Sequence, residues 1–258
     1  MSSYALTPIP AFTDNYLWLI HDSTHAWVVD PGDAAPVLQY LEQHHLTLCG
    51  MLLTHHHADH IGGVATLQHH FPAAEVIGSP VDPLPPLTRS VGEGDTLTLA
   101  PFGLTLTVLE VPGHTLGHIA YAGDNLLFCG DTLFAGGCGR VFEGTYAQMW
   151  HSLDRLRHLP AASRVCCAHE YTERNLDFAL KIEPDNPDLH HWMQDVRRLR
   201  AQGRPTLPST LAQECRCNPF LRVDLPQVKA RLEAHAGTLL PDDPVASFSV
   251  LRQWKNAC

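Results

Sequence analysis

A chain of 258 residues, 45% hydrophobic and 17% charged, can bury a sizeable core as one large domain or as one domain with a smaller partner. Its formal net charge of −10 disfavours nucleic acid, whose binding relies on Lys and Arg neutralising phosphates. No apolar run approaches the roughly 20 residues that span a bilayer, and the N-terminal Met-Ser-Ser-Tyr-Ala-Leu lacks the basic-then-apolar layout of a secretion signal, so a cytoplasmic protein without membrane association is expected.

In chain order, short apolar runs alternate with turns, as in α/β proteins. Residues 16–21, 26–30 and 49–54 read as strands, and Pro31-Gly32 marks a turn. Between the second and third, residues 34–45 place Val37, Leu38 and Leu41 at helical spacing. Ile61, Val64 and Ala65 suggest a helix ending near Pro72. Residues 96–99, 104–111, 119–122 and 125–129 read as antiparallel strands joined by Gly-containing turns. Met149, Leu153 and Leu156 imply a further helix, and residues 164–168 one more strand. Beyond Tyr171 the strand signals fade, and residues 175–182, 189–200, 225–234 and 245–254 carry helical periodicity. The expected division is therefore 1–171 and a helical appendage, 172–258.

Eight cysteines could form disulfides, but Cys166-Cys167, Cys49 and Cys129 lie in apolar strand-like runs where a free thiol behaves as a small hydrophobe. Cys215-x-Cys217 lacks a second pair or a nearby His, and reduced thiols are the simpler account.

The run Thr54-His55-His56-His57-Ala58-Asp59-His60 concentrates metal ligands as His-x-His-x-Asp-His. Imidazole with carboxylate suits zinc, iron or manganese, and catalytic sites leave coordination positions open. A turn after a strand could direct His55 and His57 to one metal and Asp59 and His60 to a second. His44-His45 and His190-His191 read as solvated pairs. Three later segments offer further donors after apolar strands, where loops present functional groups: His114 and His118 in residues 111–118, Asp131 in residues 128–132, and His169 in residues 166–171.

These motifs, in this order, resemble the metallo-β-lactamase superfamily. Residues 10–16 (Pro-Ala-Phe-Thr-Asp-Asn-Tyr), the run from Cys129-Gly-Asp-Thr to Gly136-Gly-Cys-Gly-Arg140, Phe142-Glu-Gly-Thr145 and His169-Glu-Tyr-Thr172 resemble the bacterial glyoxalase II (hydroxyacylglutathione hydrolase) family along the whole length. The resemblance implies an α/β metallo-β-lactamase αββα sandwich followed by a smaller helical C-terminal domain that contributes to glutathione binding. It further implies that His55, His57 and His114 hold one metal, that Asp59, His60 and His169 hold the other, and that Asp131 bridges them. His118 is then structural, at the start of a strand, and His56 occupies a variable position. Two divalent ions, zinc before iron or manganese, would hold a hydroxide that attacks a glutathione thioester. S-D-lactoylglutathione would give D-lactate and glutathione, the second step of methylglyoxal detoxification. Spacing alone reads Arg252 and Lys255 as a solvated helix end; the resemblance makes them glutathione-binding, with Arg140 and Tyr171 near the thiol-bearing part. Phe142 stands where some eukaryotic members carry Tyr. A monomer is expected.

The competing readings are a glutathione persulfide dioxygenase with one iron, another hydrolase of the superfamily such as a lactonase, a tRNA-processing nuclease and a non-catalytic metal-binding regulatory module. The charge argues against the nuclease, and a lactonase leaves Arg252 and Lys255 unexplained.

Overall fold

The structure, a computed structural model, describes residues 4–258. It divides into two compact units: one holds the residues up to Glu110, Thr115–Gly130 and Cys166–His169, the other Val111–His114, Asp131–Val165 and Glu170–Cys258.

The first unit begins β1 (Ala5–Ala11), β2 (Asn15–His21), β3 (His25–Val29), α1 (Ala34–His44) and β4 (Thr47–Leu52). It continues with α2 (Ala58–Ile61), α3 (Val64–His70), β5 (Glu75–Gly78) and β6 (Arg89–Ser90). Strands β1 to β6 form one mixed sheet in chain order, antiparallel through β3 and parallel thereafter. Strand β2 is buried along nearly its whole length, as expected of a near-continuous apolar run covered on both faces. Helix α1 starts where Asp33 accepts from the Ala35 N–H and stops at His45 in the left-handed region (φ 55°). Its Val37 and Leu41 join Leu17, Leu19, Val28, Met51 and Val76 in one core. Strands β7 (Thr96–Leu99), β8 (Leu104–Glu110), β9 (Ile119–Gly123) and β10 (Leu126–Phe128) then run antiparallel.

The second unit carries the short hairpin β11 (Leu133–Phe134) and β12 (Gly137–Cys138), helix α4 (Tyr146–Arg157), β13 (Arg164–Val165), α5 (Thr172–Ile182) and α6 (Pro187–Ala201). Strand β14 (Ser209–Thr210), α7 (Leu211–Cys217), a single 3₁₀ turn at Pro219–Leu221, α8 (Pro226–Ala236) and α9 (Pro244–Asn256) complete it. A capping box between Thr145 and Gln148 starts α4, and Asn186 and Asp243 cap α6 and α9, each followed by Pro at the first helical position. Phe178, Phe220, Phe248 and Trp150 form an aromatic chain with ring centroids 6.0–6.3 Å apart.

Two departures from the sequence expectation have physical causes. The helix expected after the ligand run is broken into α2 and α3 at Gly62-Gly63, whose Gly63 N–H bonds to the Pro31 carbonyl at 2.9 Å. The strand expected over 164–168 shrinks to Arg164–Val165, because the next residues bond elsewhere: the carbonyls of Cys167 and Ala168 accept from the Trp18 indole and the Tyr16 N–H. Strands β1 and β5 and helix α7 had no expectation. No helix among the described residues is long and apolar enough to cross a membrane.

Candidate metal centre

In the first unit a cluster of His and Asp forms where β4 runs out. Past Leu52, Thr54 donates through its N–H and Oγ1 to the two carboxylate oxygens of Asp30, at 2.8 and 2.7 Å. With its hydroxyl hydrogen on Asp30, Thr54 Oγ1 accepts from His55 Nδ1 at 3.0 Å. His55 Nε2 then lies 3.0 Å from His57 Nδ1. His57 is the N-cap residue of α2, whose single turn carries Asp59 and His60. His60 donates Nδ1 to Asp30 Oδ2 at 3.0 Å and holds Nε2 3.6 Å from Asp59 Oδ2. His169 donates Nδ1 to Asp14 Oδ1 at 2.8 Å, with Nε2 3.4 Å from the same Asp59 oxygen. Asn15 Nδ2 donates to that oxygen at 3.0 Å. The ligand atoms of Asp59, His60 and His169 all lie within 4.8 Å of one another.

The second unit repeats the arrangement. His114 donates Nδ1 to the Arg140 carbonyl at 2.7 Å and points Nε2 at Asp131 Oδ2, 3.4 Å away. The hairpin β11–β12 brings Gly139 back so that its N–H bonds to the Thr132 carbonyl at 3.2 Å. A Cβ at Gly139 would stand 1.8 Å from the Asp131 carbonyl oxygen, so only Gly permits this approach.

The donor chemistry fits divalent metals. A neutral imidazole has one N–H and one lone pair, and carboxylate or carbonyl oxygens can only accept, so Nδ1 carries the hydrogen in His60, His169 and His114. Their Nε2 lone pairs consequently face carboxylate oxygens at 3.4–3.6 Å, an arrangement that a shared cation relieves. Oxygen partners behind the ring are how metal-binding histidines are oriented and made more basic.

Helix α9 carries both Arg252 and Lys255. Arg252 is 4% exposed; its Nη1 donates to the Cys138 carbonyl at 2.8 Å, and its guanidinium lies 5.0 Å from the centre of the Phe220 ring. Lys255 Nζ donates to the Arg174 carbonyl at 3.1 Å, and burial, then the charges of Arg252 and Arg174, lower its pKa to about 8. The Arg140 side chain is exposed. Tyr171 precedes α5 and meets Phe134 edge to face at 5.3 Å. His118 is buried and stacks on His55 at 4.6 Å. All eight cysteines are free thiols.

Sequence reasoning missed the residues that orient the rings. Asp30 had a signal, a lone acid after an apolar strand in Val29-Asp30-Pro31-Gly32. Asp14 and Asn15 fell inside a quoted motif without being given a role. Asp82, in the Pro-rich stretch before β6, had no signal.

Family models match both parts of the chain: "Metallo-beta-lactamase superfamily" over residues 12–169 and "Hydroxyacylglutathione hydrolase C-terminus" over residues 170–258. The chain is 54% identical over 249 residues to a hydroxyacylglutathione hydrolase of Photobacterium profundum, spanning 96% of this chain and 97% of that protein. It is 53% identical over the same shares to one of Vibrio cholerae. Among solved structures, ETHE1 from Myxococcus xanthus aligns with a TM-score of 0.62 at 25% identity, over 98% of each chain. The fold class is the one read from the sequence, a metallo-β-lactamase fold followed by a helical C-terminal region. The chain belongs to the hydroxyacylglutathione hydrolase (glyoxalase II) family of the metallo-β-lactamase superfamily.

Proposed function

We propose that the protein hydrolyses S-(2-hydroxyacyl)glutathione thioesters, converting S-D-lactoylglutathione to D-lactate and glutathione, as the second step of methylglyoxal detoxification. The observation that carries this reading is the full-length family match, joined to the His and Asp groups whose rings are oriented from behind. His55, His57 and His114 would hold one divalent ion, Asp59, His60 and His169 would hold the other, and Asp131 would be shared by the two. Zinc suits this donor set first, with iron or manganese as the variants that availability selects. The catalytic domain is 1–171, and 172–258 contributes to glutathione binding. The protein is a cytoplasmic monomer whose partner is the small thioester.

Bound divalent metal supplies Lewis acidity, which lowers the pKa of a water and polarises the thioester carbonyl. The chain's own residues hold that geometry. Asp30, Asp14 and the Arg140 carbonyl fix the Nδ1 hydrogens of His60, His169 and His114, so Nε2 remains the donor to metal. Asn15 keeps Asp59 Oδ2 in place. The departing thiolate has a solution pKa near about 8.5 and needs no strong general acid. Lys255 supplies positive charge for a glutathione carboxylate, and Arg252, Arg140 and Tyr171 complete the substrate-binding set.

The test follows thioester loss, free thiol and hydroxy acid together with purified, metal-analysed protein. Matched rates without oxygen uptake support the hydrolase; oxygen consumption with an intact thioester transfers the reading to the persulfide dioxygenase.

A further inference from the structure

We propose that Asp82 is a positioning residue for the metal held by His55 and His57, fixing the backbone between these two ligands. The inference rests on the ligand assignment above and adds a residue to it. Asp82 lies in the loop between β5 and β6, with its side chain 3% exposed. Its Oδ2 accepts from the His56 N–H at 3.1 Å, from His56 Nδ1 at 3.0 Å and from Thr115 Oγ1 at 3.0 Å. Its Oδ1 accepts from the Gly117 N–H at 2.9 Å. One buried carboxylate thus clamps the middle residue of His55-His56-His57 to the segment that follows His114 in sequence.

A buried carboxylate is costly unless its lone pairs are met, and here every donor comes from a ligand-bearing segment or its immediate continuation. The fit leaves no slack: a Cβ at Gly117 would fall 2.4 Å from Asp82 Oδ1 and 2.6 Å from the Asp82 nitrogen. In extended chain, residues i and i+2 share a face, but their rings converge only if the intervening peptide is held. His55 Nε2 and His57 Nδ1 do converge, to 3.0 Å, with the His56 N–H pinned between them. Thr115 and Gly117, directly after His114, are pinned by the same carboxylate.

The other donor group does not use this clamp. His60 and His169 are oriented by Asp30 and Asp14, and Asp59 by Asn15. Removal of Asp82 should therefore weaken one of the two ions and spare the other, which general loss of stability would not do.

The experiment loads metal-stripped full-length parent, Asp82→Ala and Asp82→Asn with cobalt(II), then measures each dissociation constant by chelator competition and records the ligand-field spectrum. Trp27→Phe, which loses the indole bond to the Ala100 carbonyl and part of a buried ring away from the donor groups, serves as a control for general destabilisation. In Asp82→Ala one cobalt should bind about 10–100-fold more weakly, the usual range for loss of a group behind a ligand, with an altered spectrum. The second cobalt should be unchanged, Asp82→Asn should fall between, and Trp27→Phe should keep both. Should Asp82→Ala not fold, Asp82→Asn gives the answer. Two unaltered cobalt ions in the Asp82 variants, or equal weakening of both, overturns the proposal. Thioester hydrolysis by the parent is assayed on the same preparation: tight cobalt without hydrolysis defeats the hydrolase reading and leaves Asp82 standing. A parent that takes up no cobalt overturns both.

Discussion

His114 gives its Nδ1 hydrogen to the carbonyl oxygen of Arg140 at 2.7 Å and so turns Nε2 toward Asp131, 3.4 Å away. The glycine-rich loop is thereby more than a family signature: its last carbonyl sets the tautomer of a proposed ligand. The same loop needs Gly139 because the Asp131 carbonyl occupies the place of a side chain.

Replacing Asp131 removes the group proposed to bridge the metals. Asp131→Ala should lower metal content and cut kcat by more than the roughly 10–100-fold typical of groups that merely orient a ligand. Metal analysis and turnover on one preparation check this; parent-like values would remove Asp131 from the site.

Gly139→Ala should act on Asp131 and His114 without touching a ligand atom. The hairpin must move to relieve a 1.8 Å overlap, and ligand displacement of about 1 Å costs on the order of 100-fold in rate. The checks are kcat and metal retention, with Gly92→Ala, whose added Cβ would meet only a Glu110 carboxylate oxygen at 3.5 Å, an ordinary contact, as the comparison.

Lys255 predicts a pH dependence of binding. With its pKa lowered to about 8, the ammonium is present at pH 7 and largely lost at pH 9. KM for the glutathione thioester should rise across that interval while kcat changes less. In Lys255→Ala, KM should be high already at pH 7 and flat above it; a KM equal to the parent's would remove Lys255 from the substrate-binding set.

Glu214 predicts a pH dependence of stability. Burial lifts its carboxyl from 4.5 to about 7, against the opposing bonds from Ser209, the Gly136 N–H and Asn218. Between those values the folded protein holds a proton that the unfolded chain has released, so stability falls as pH rises from 4.5 through 7 and then levels. The cost above pH 7 is roughly 3 kcal/mol. Glu214→Gln keeps the shape, accepting from the Gly136 N–H and donating to Ser209. It should raise Tm by several degrees at pH 8, with little change at pH 4.5. An unaltered Tm-against-pH profile would contradict the assignment.

What was legible in the sequence follows from where each signal resides. The ligand run His55–His60 and strands β2 to β4 announce themselves locally, by donor spacing and by apolar runs such as Leu17-Trp18-Leu19-Ile20. Strand β1 was silent because Pro8 and Pro10 break a strand pattern, and they are tolerated here because β1 pairs only with β2, at the sheet edge. Asp82 and Asp14 were silent as orienting groups, and Asp30 showed only as a lone acid after an apolar strand, because their partners lie 26, 155 and 30 residues away. Arg252 was legible as a cation, but its burial and its bond to the Cys138 carbonyl come from the fold around α9.

The proposed thioester hydrolysis requires two metal ions held by the seven proposed His and Asp ligands. The most direct test titrates metal-stripped protein with zinc and follows S-D-lactoylglutathione hydrolysis at each step. Activity absent without metal and reaching its plateau near two zinc ions per chain is the predicted result. Full hydrolysis by the metal-free protein, or none with both ions bound, would contradict it.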